Sequence, residues 1–178
     1  ARKDYRKTYD VYKDDTLLNR KPKKSRKIFV CLDEQRGQYL VDGLVAMDFP
    51  LSSGVKAYPT KTGDYTVISK KEDHASNLYG KMYDAEGKCI NYNAESTDPV
   101  PEGGRFDGSP MPYWQRLTNA GLGLHVGKVR RHPISHGCVR LPRNVAEILY
   151  KQTSVGTPVT IQRTPLPVPE AQKAPAVQ

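Results

Sequence analysis

Residues Gly123–Leu141 have the sequence GLHVGKVRRHPISHGCVRL, and no other stretch constrains the fold and the chemistry as strongly. It overlaps Ala120–Val126, a short apolar segment whose glycines permit close backbone approach, and this composition predicts a buried strand. The strand carries His125, and a base on a rigid strand is positioned better than a base on a loop. A basic loop separates this strand-borne histidine from Cys138.

The end of the stretch combines a cysteine with histidines: three of the four histidines lie from His125 to His136, just before Cys138. A free thiol is mostly protonated at neutral pH, with a pKa of about 8.5, and the thiolate is the nucleophile, so an imidazole that takes the proton activates it. Gly137 lets the backbone turn sharply, and amides on such a turn can point at a developing oxyanion. The pattern predicts nucleophilic catalysis by Cys138, with a thiol that alkylates well below the pH of an ordinary thiol.

The histidines are expected to differ in role. His136 lies two residues before Cys138, so on an extended segment both side chains would project on the same side. His132 lies between Arg131 and Pro133 in the basic loop, where we expect it to be exposed.

The sequence around this stretch is mainly β in character. Lys27–Leu32 predicts a strand, Asp33–Gly37 a turn and Gln38–Val45 a return strand, which together form a hairpin. Further strands are predicted at Tyr65–Ser69, Tyr79–Tyr83, Cys89–Tyr92 and Thr157–Gln162. Pro142–Gln152 predicts a helix, because it starts at a proline and has apolar residues at i, i+3 and i+4. Many short strands with one or two short helices indicate a β-sandwich or a barrel-like pair of sheets.

Composition divides the chain into a basic N-terminal arm (residues 1–26), a domain (residues 27–163) and a Pro/Ala-rich tail (residues 164–178). The formal net charge is +9, and residues 1–27 contribute +7 of it, with eleven Lys and Arg against four Asp and Glu. Such an arm is either a solvated, poorly ordered tail or a contact for an anionic wall or surface polymer. No nucleic-acid-binding motif follows the arm, so no nucleic acid is expected as a partner. The tail is expected to be extended or disordered.

No stretch is apolar enough to span a membrane, and no signal peptide precedes the charged N-terminal segment, so a secretion signal is expected to be missing from this chain. The cysteines are Cys31, Cys89 and Cys138, an odd number. Either Cys31 and Cys89 form a disulfide or both are buried, inert thiols, and the sequence does not decide between them.

The motif SHGCVR at Ser135–Arg140, preceded by a strand-borne histidine, resembles the signature of the YkuD-type L,D-transpeptidases. The resemblance covers residues 27–163. It includes YPTKTG at Tyr58–Gly63, which is similar to the family's Thr-Pro-x-Gly turn with Lys61 in place of the proline, and MPYW at Met111–Trp114, which is similar to the segment lining the substrate groove. Val126 follows His125 here, so a backbone carbonyl has to orient the imidazole.

The resemblance implies an enzyme of the bacterial cell wall, periplasmic or wall-associated, that acts on peptidoglycan stem peptides. Cys138 would attack the carbonyl of the diamino acid of a donor tetrapeptide and release D-Ala, with His125 as the base. His136 would support the site, and the amides near Gly137 would bind the oxyanion. An amine acceptor would complete the transfer, and no cofactor is expected.

The resemblance also implies four substrate-binding residues: Arg140, whose guanidinium can form a fork onto a carboxylate, and Ser135, Tyr113 and Trp114. For Arg140 the alternative is a surface ion pair, and for the two aromatic residues it is core packing.

Other functions remain open from the sequence. The same fold could act as an L,D-carboxypeptidase or a stem-peptide amidase, and a binding module could hold the wall without turnover. Cys138, His136, His125 and His132 could nominally bind zinc, but the spacing lacks the paired ligands of structural zinc sites, so no metal is expected.

Overall fold

The structure is a computed structural model that describes residues 7–169, in which two helices and thirteen strands are present. The helices are α1 (Asp15–Leu18) and α2 (Arg143–Gln152). The strands are β1 (Tyr12–Lys13), β2 (Arg26–Cys31), β3 (Arg36–Val41), β4 (Leu44–Pro50), β5 (Gly63–Thr66), β6 (Ser69–Lys71), β7 (Ala75–Tyr83), β8 (Cys89–Glu95), β9 (Arg105–Pro110), β10 (Trp114–Arg116), β11 (Gly123–Val126), β12 (Val139–Leu141) and β13 (Pro158–Gln162). The expected mainly β fold with short helices is confirmed.

The described chain forms two compact units, and the larger one comprises residues 7–70 and 113–169. Its first sheet has six strands in the order β1-β4-β3-β2-β13-β5, and only the β13–β2 pair in it is parallel. Its second sheet has four strands in the order β12-β11-β10-β6, and the last residue of the edge strand β6 is Lys71. The buried apolar cluster takes side chains from both sheets and from α2, so it is the common core of this unit.

The predicted hairpin is correct in its first strand and wrong in its second. Lys27–Leu32 corresponds to β2, but the expected return strand Gln38–Val45 is interrupted after Val41. Asp42 and Gly43 have φ values of 51° and 79°, and β4 starts directly after them. An Asp-Gly pair with two positive φ angles forms the tight turn of a two-residue hairpin, so this segment is a second hairpin.

The predicted strand Tyr65–Ser69 is also split. β5 ends at Thr66 and pairs with β13 in the first sheet, whereas β6 starts at Ser69 in the second sheet. Between them the Val67 amide donates to the Thr157 carbonyl, and the Ile68 amide donates to the Arg116 carbonyl. The chain therefore crosses from one sheet to the other at the point where one strand was expected.

Four other predicted elements are present with shifted ends. The helix expected at Pro142–Gln152 is α2, which buries Val145 and Leu149, and Pro142 is its N-cap residue. The strands expected at Ala120–Val126 and Thr157–Gln162 are β11 and β13, and Cys89–Tyr92 lies in β8. The strands β9, β10 and β12 were not predicted, and the last two have three residues each.

The alternative of a poorly ordered N-terminal tail is wrong for residues 7–26. β1 pairs with β4, and Asp14 caps α1 by accepting a hydrogen bond from the Leu17 amide. Leu17 and Leu18 belong to the buried core. Residues 1–6 lie outside the described part, and the boundary at residue 27 stays a prediction.

The C-terminal tail is attached at its start. Leu166 is buried, and its amide donates to a carboxylate oxygen of Glu34. The Pro167 carbonyl accepts a hydrogen bond from the Gln38 side chain. The expectation of an extended or disordered tail otherwise falls on residues 170–178, which lie outside the described residues.

The smaller unit, residues 71–112, is a three-stranded antiparallel sheet in the order β8-β7-β9. The strand predicted at Tyr79–Tyr83 is the second half of β7. Gly80 lies so close to β9 that a Cβ there would be 1.9 Å from the Asp107 carbonyl oxygen. This close approach explains why glycine occupies the middle of the central strand.

Two further properties of the described residues bear on function. Cys31, Cys89 and Cys138 are all free thiols. The Cys31–Cys89 disulfide, one of the two alternatives from the sequence, is therefore not formed. Among residues 7–169 no helix is long and apolar enough to cross a bilayer.

A buried ion pair connects the first and last described segments of the chain to the centre of the first sheet. Arg36 Nε donates to Asp48 Oδ1 at 2.6 Å, with both side chains at most 2% exposed. The Arg36 guanidinium also donates to the carbonyls of Thr8 and Asp10. Asp48 Oδ2 accepts a hydrogen bond from Gln38, which also binds the C-terminal segment. These charge-assisted hydrogen bonds compensate the cost of burying both charges.

We expect Asp48→Ala to destabilise the protein by about 3–5 kcal/mol, because it leaves the Arg36 guanidinium buried without its carboxylate. Urea denaturation followed by circular dichroism measures this change. The control is Asp33→Ala, which removes an ion pair with Arg163 whose side chains are 57% and 66% exposed. That change should cost less than about 1 kcal/mol, and equal losses for the two variants would contradict the assignment.

Candidate functional site

The site lies on one face of the second sheet, and its strand register defines the arrangement. β11 pairs in parallel with β12, with His125 opposite Arg140. β10 pairs antiparallel with β11, with Gln115 opposite Leu124, so Trp114 lies next to His125 across the ladder. The ring centroids of Trp114 and His125 are 6.1 Å apart. Trp114, His125 and Arg140 therefore form one row across three strands.

The neighbouring row on the same face contains the cysteine. Arg116 is opposite Gly123 in the β10–β11 pair. Cys138 directly precedes β12, whose first residue Val139 is opposite Leu124. Because side chains alternate between the faces of a strand, Arg116, Gly123 and Cys138 align on the face that carries His125. The sheet thus brings the two predicted catalytic residues together.

His125 is held by its own strand. Its side chain is buried, and Nδ1 lies 2.6 Å from the Val126 carbonyl oxygen. A carbonyl only accepts, so Nδ1 carries the proton and Nε2 is the basic nitrogen. The expected orientation of this imidazole by a backbone carbonyl is confirmed.

The turn that carries the cysteine is not an extended segment. Gly137 has a φ of 120°, a conformation that side-chain-bearing residues rarely adopt. His136 is exposed, and its ring centroid is 4.9 Å from that of Tyr58. Residues 136–138 form a bend, so the extended segment on which His136 and Cys138 would project together is absent.

Ser135 stabilises the turn from within. The residue is 2% exposed, its hydroxyl donates to the Cys138 carbonyl, and it accepts from the Gly137 amide at 3.1 Å. These contacts favour a positioning role over the predicted substrate contact. The Gly137 N–H, which was expected to donate a hydrogen bond to the oxyanion, already donates to the Ser135 hydroxyl.

Thr60 holds the same turn from outside. Its hydroxyl donates to the Gly137 carbonyl at 2.6 Å and accepts from the Gly54 amide at 2.8 Å. A Cβ at Gly54 would lie 2.8 Å from the Gly137 Cα, so the segment beneath the turn has no room for a side chain. Thr60 belongs to the motif YPTKTG, but the sequence did not reveal that this threonine reaches the cysteine turn.

Backbone groups contact the thiol of Cys138, which is a half-buried residue. Sγ donates to the Gly121 carbonyl at 3.2 Å. Burial raises the pKa of the Cys138 thiol, and a hydrogen bond from the Gly123 amide and the charges of Arg140 and Arg116 oppose this rise. Burial thus favours the protonated form of the resting thiol, which argues against the expected alkylation at unusually low pH.

Arg140 is half-buried, and burial lowers its pKa. Its aliphatic stem packs on Gly127, where a Cβ would lie 2.8 Å from Arg140 Cγ and Cδ. Among the described residues its guanidinium has no carboxylate partner, which does not fit the alternative of a surface ion pair.

The two aromatic residues proposed to line the groove are mostly in the core. Trp114 is 2% exposed, and its ring covers Gly123, where a Cβ would lie 2.4 Å from the ring. Tyr113 packs against the core and meets Tyr150 edge-on at 5.4 Å. These contacts favour the packing alternative for Trp114, and a groove role for Tyr113 stays a prediction.

His132 is exposed, as expected. Within residues 7–169 no group of three or more His, Cys, Asp or Glu side chains could hold a metal ion.

Arg116 was not predicted as a site residue, because a single arginine in a three-residue strand gives no local signal.

Comparison with known proteins gives consistent matches. The profile of the L,D-transpeptidase catalytic domain family (YkuD) matches residues 25–161. The chain is 32% identical over 120 residues to the probable L,D-transpeptidase 3 of Mycobacterium tuberculosis, and the match covers 64% of this chain and 38% of that protein.

Solved structures show the same fold. An L,D-transpeptidase from Mycobacterium smegmatis has a TM-score of 0.59 at 23% identity, covering 78% of this chain and 58% of the other. L,D-transpeptidase 3 from M. tuberculosis, in complex with a faropenem-derived adduct, has a TM-score of 0.56 at 24% identity, covering 78% and 60%. The chain therefore spans less than two thirds of the length of these proteins.

Alkylation of Cys138 by iodoacetamide should have its pH inflection above that of N-acetylcysteine, because burial raises the pKa of the thiol. Arg140→Met should move the inflection further up, since it removes a positive charge that favours the thiolate. The alkylation rate of Cys138 at each pH is measured by quenching the reaction at set times and mapping the modified peptides by mass spectrometry. Arg163→Met is the control. An inflection below that of N-acetylcysteine would instead indicate a resting thiolate.

Thr60→Val should cost about 1–3 kcal/mol of unfolding free energy, since it leaves the Gly54 amide and the Gly137 carbonyl without their partner. Hydrogen exchange should accelerate at Gly54 in this variant. Thr60→Ser keeps the hydroxyl and should restore most of the protection. Unchanged Gly54 exchange in Thr60→Val would show that the hydroxyl does not hold the turn.

Proposed function

Because the chain belongs to the family of L,D-transpeptidase catalytic domains, we propose that it transfers acyl groups between peptidoglycan stem peptides through a Cys138 thioester. The observation that carries this proposal is the shared sheet face of Cys138 and His125, with the imidazole oriented by the Val126 carbonyl. A nucleophile beside an oriented base is the arrangement that covalent acyl transfer requires.

The first half-reaction forms the thioester. The Cys138 sulfur attacks the carbonyl carbon between the diamino acid and D-Ala of a donor tetrapeptide, and the thiol proton passes to Nε2 of His125. The carbonyl oxygen becomes an oxyanion. Since Ser135 occupies the Gly137 N–H, the Cys138 amide is the better candidate donor to it. The C–N bond then breaks, and the proton on His125 goes to the amine of the departing D-Ala.

In the second half-reaction His125 is again the base, but the acceptor amine is the nucleophile and the Cys138 sulfur is the leaving group. The amine of an acceptor stem attacks the thioester carbon, His125 accepts the proton of that amine, and the C–S bond breaks. The thiolate recovers the proton from His125, which restores the resting site. If water replaces the amine, the product is a tripeptide, and the activity is that of an L,D-carboxypeptidase.

The protonation of the resting site fits this sequence of steps. Burial raises the pKa of the Cys138 thiol, so little thiolate exists before the substrate binds. The proton therefore moves during attack, which protects the nucleophile from oxidation between turnovers.

The family acts on the cell wall, which supports a location outside the cytoplasm, periplasmic or wall-associated. A wall polymer as the partner of the basic N-terminal segment is part of this proposal. It draws support from the charge of residues 1–27.

The test is mass spectrometry of products after the protein is incubated with disaccharide-tetrapeptide. We expect a cross-linked dimer with loss of D-Ala, and its complete loss in Cys138→Ala. Cys89→Ala is the matched control, since Cys89 lies in the smaller unit, and should keep full activity.

The other outcomes separate the alternatives. Tripeptide without dimer would indicate a carboxypeptidase, and an active Cys138→Ala would refute a cysteine mechanism. The M. tuberculosis relative is known in complex with a faropenem-derived adduct, so a second readout is a faropenem mass adduct on Cys138. No product and no adduct would favour a wall-binding module without turnover.

A further inference from the structure

The sheet face that carries Cys138 also carries two arginines, and only Arg140 was predicted from the sequence to bind substrate. Arg140 is in the row of His125, and Arg116 is in the row of Cys138, across Gly123. We call Arg116 and Arg140 the arginine pair. The six positions of the two rows contain no acidic residue, so the cationic charge on this face is not balanced by its neighbours there.

Neither guanidinium is neutralised elsewhere among the described residues. Arg140 has no ion pair, and the one hydrogen bond from the Arg116 side chain is a 3.4 Å contact from Nη1 to the Thr118 carbonyl. Both residues are half-buried, and within residues 7–169 none of their side-chain nitrogens is both fully buried and without a hydrogen bond. By contrast, the buried guanidinium of Arg36 is compensated by Asp48. The arginine pair is therefore accessible and lacks a carboxylate.

Packing fixes both side chains. The Arg116 guanidinium carbon lies 5.3 Å from the Trp114 ring centroid, and that ring is in turn packed on Gly123. The stem of Arg140 is packed on Gly127. A guanidinium that stacks on an aromatic ring keeps its N–H groups for a ligand in its own plane. The two positive charges are thus preorganised around the thiol.

We propose that Arg116 is a second carboxylate-binding residue, so that the arginine pair selects donor peptides with a free carboxylate on each side of the scissile bond. This inference rests on the proposed function. One carboxylate is that of the terminal D-Ala. We assign the other to the diamino acid, because Cys138 attacks the carbonyl of that residue. The diamino acid would then be a diaminodicarboxylic acid such as diaminopimelate with its side-chain carboxylate unamidated. A diamino acid without that carboxylate, such as lysine, leaves one guanidinium unpaired in the complex and is disfavoured.

The first test does not require turnover. Iodoacetate is an anion and iodoacetamide is its neutral analogue, and both consume the same Cys138 thiolate, so the thiolate fraction cancels in the ratio of their rate constants. Relative to N-acetylcysteine, we expect the arginine pair to raise the iodoacetate-to-iodoacetamide ratio about tenfold. Arg116→Gln should lower the ratio about threefold, and Arg116→Lys should keep most of it. Arg163→Gln, which alters a distant exposed arginine, should leave it unchanged.

The second test compares two disaccharide-tetrapeptides, one with diaminopimelate and one with its side-chain carboxylate amidated. Release of D-Ala should favour the free carboxylate by about tenfold in kcat/KM, mainly through KM, and Arg116→Gln should remove most of this preference. A loss of kcat alone for both donors in Arg116→Gln would indicate a merely structural arginine.

The two tests fail in distinguishable ways. If the wild-type protein uses both donors equally, or if Arg116→Gln leaves the reagent ratio unchanged, the inference is overturned while the transpeptidase proposal stands. If neither donor is turned over, the proposed function is wrong, and the assignment of a donor peptide as the ligand of the arginine pair is wrong as well.

Discussion

The parallel pairing of β11 with β12 is the constraint on which the site depends. Each strand contributes only three paired residues, yet this ladder places Cys138 beside His125 across the loop that separates them in sequence. β12 is held on its other side as well, because Ser52 exchanges backbone hydrogen bonds with Arg140, and Gly54 bridges to Ser135. A three-residue strand is marginal alone, so neighbours on both sides are what fix the nucleophile.

The geometry of the cysteine turn then follows from hydrogen bonds that converge on it from distant parts of the chain. Ser135 fixes it locally, whereas Thr60 reaches Gly137 across 77 residues of sequence. Such convergence positions a catalytic group more accurately than a flexible loop could. The Gly137 amide already donates to the Ser135 hydroxyl, so the hydrogen-bond donor to an oxyanion has to be another amide of the turn.

These contacts explain which features the sequence could predict. The residue types around Cys138 were sufficient to identify the nucleophile candidate and its partner His125, because their chemistry depends on identity and local spacing. β2 and α2 were also predictable, since their sequence patterns extend over several residues. β10 and β12 were not, because three residues carry no measurable period, and Arg116 owes its position entirely to the register of β10. The break after Val41 was missed although Asp42–Gly43 is a hairpin signal.

The N-terminal segment shows how a charged stretch that resembles a solvated arm can contribute to the fold through its backbone. Its carbonyls at Thr8 and Asp10 accept hydrogen bonds from buried Arg36. Arg131, in the loop between His125 and Cys138, donates to the Lys7 carbonyl, and its guanidinium carbon lies 5.6 Å from the Tyr9 ring centroid. The segment therefore connects the central ion pair of the first sheet to the loop beside the site. Backbone carbonyls make these contacts, so composition alone could not distinguish this segment from a tail.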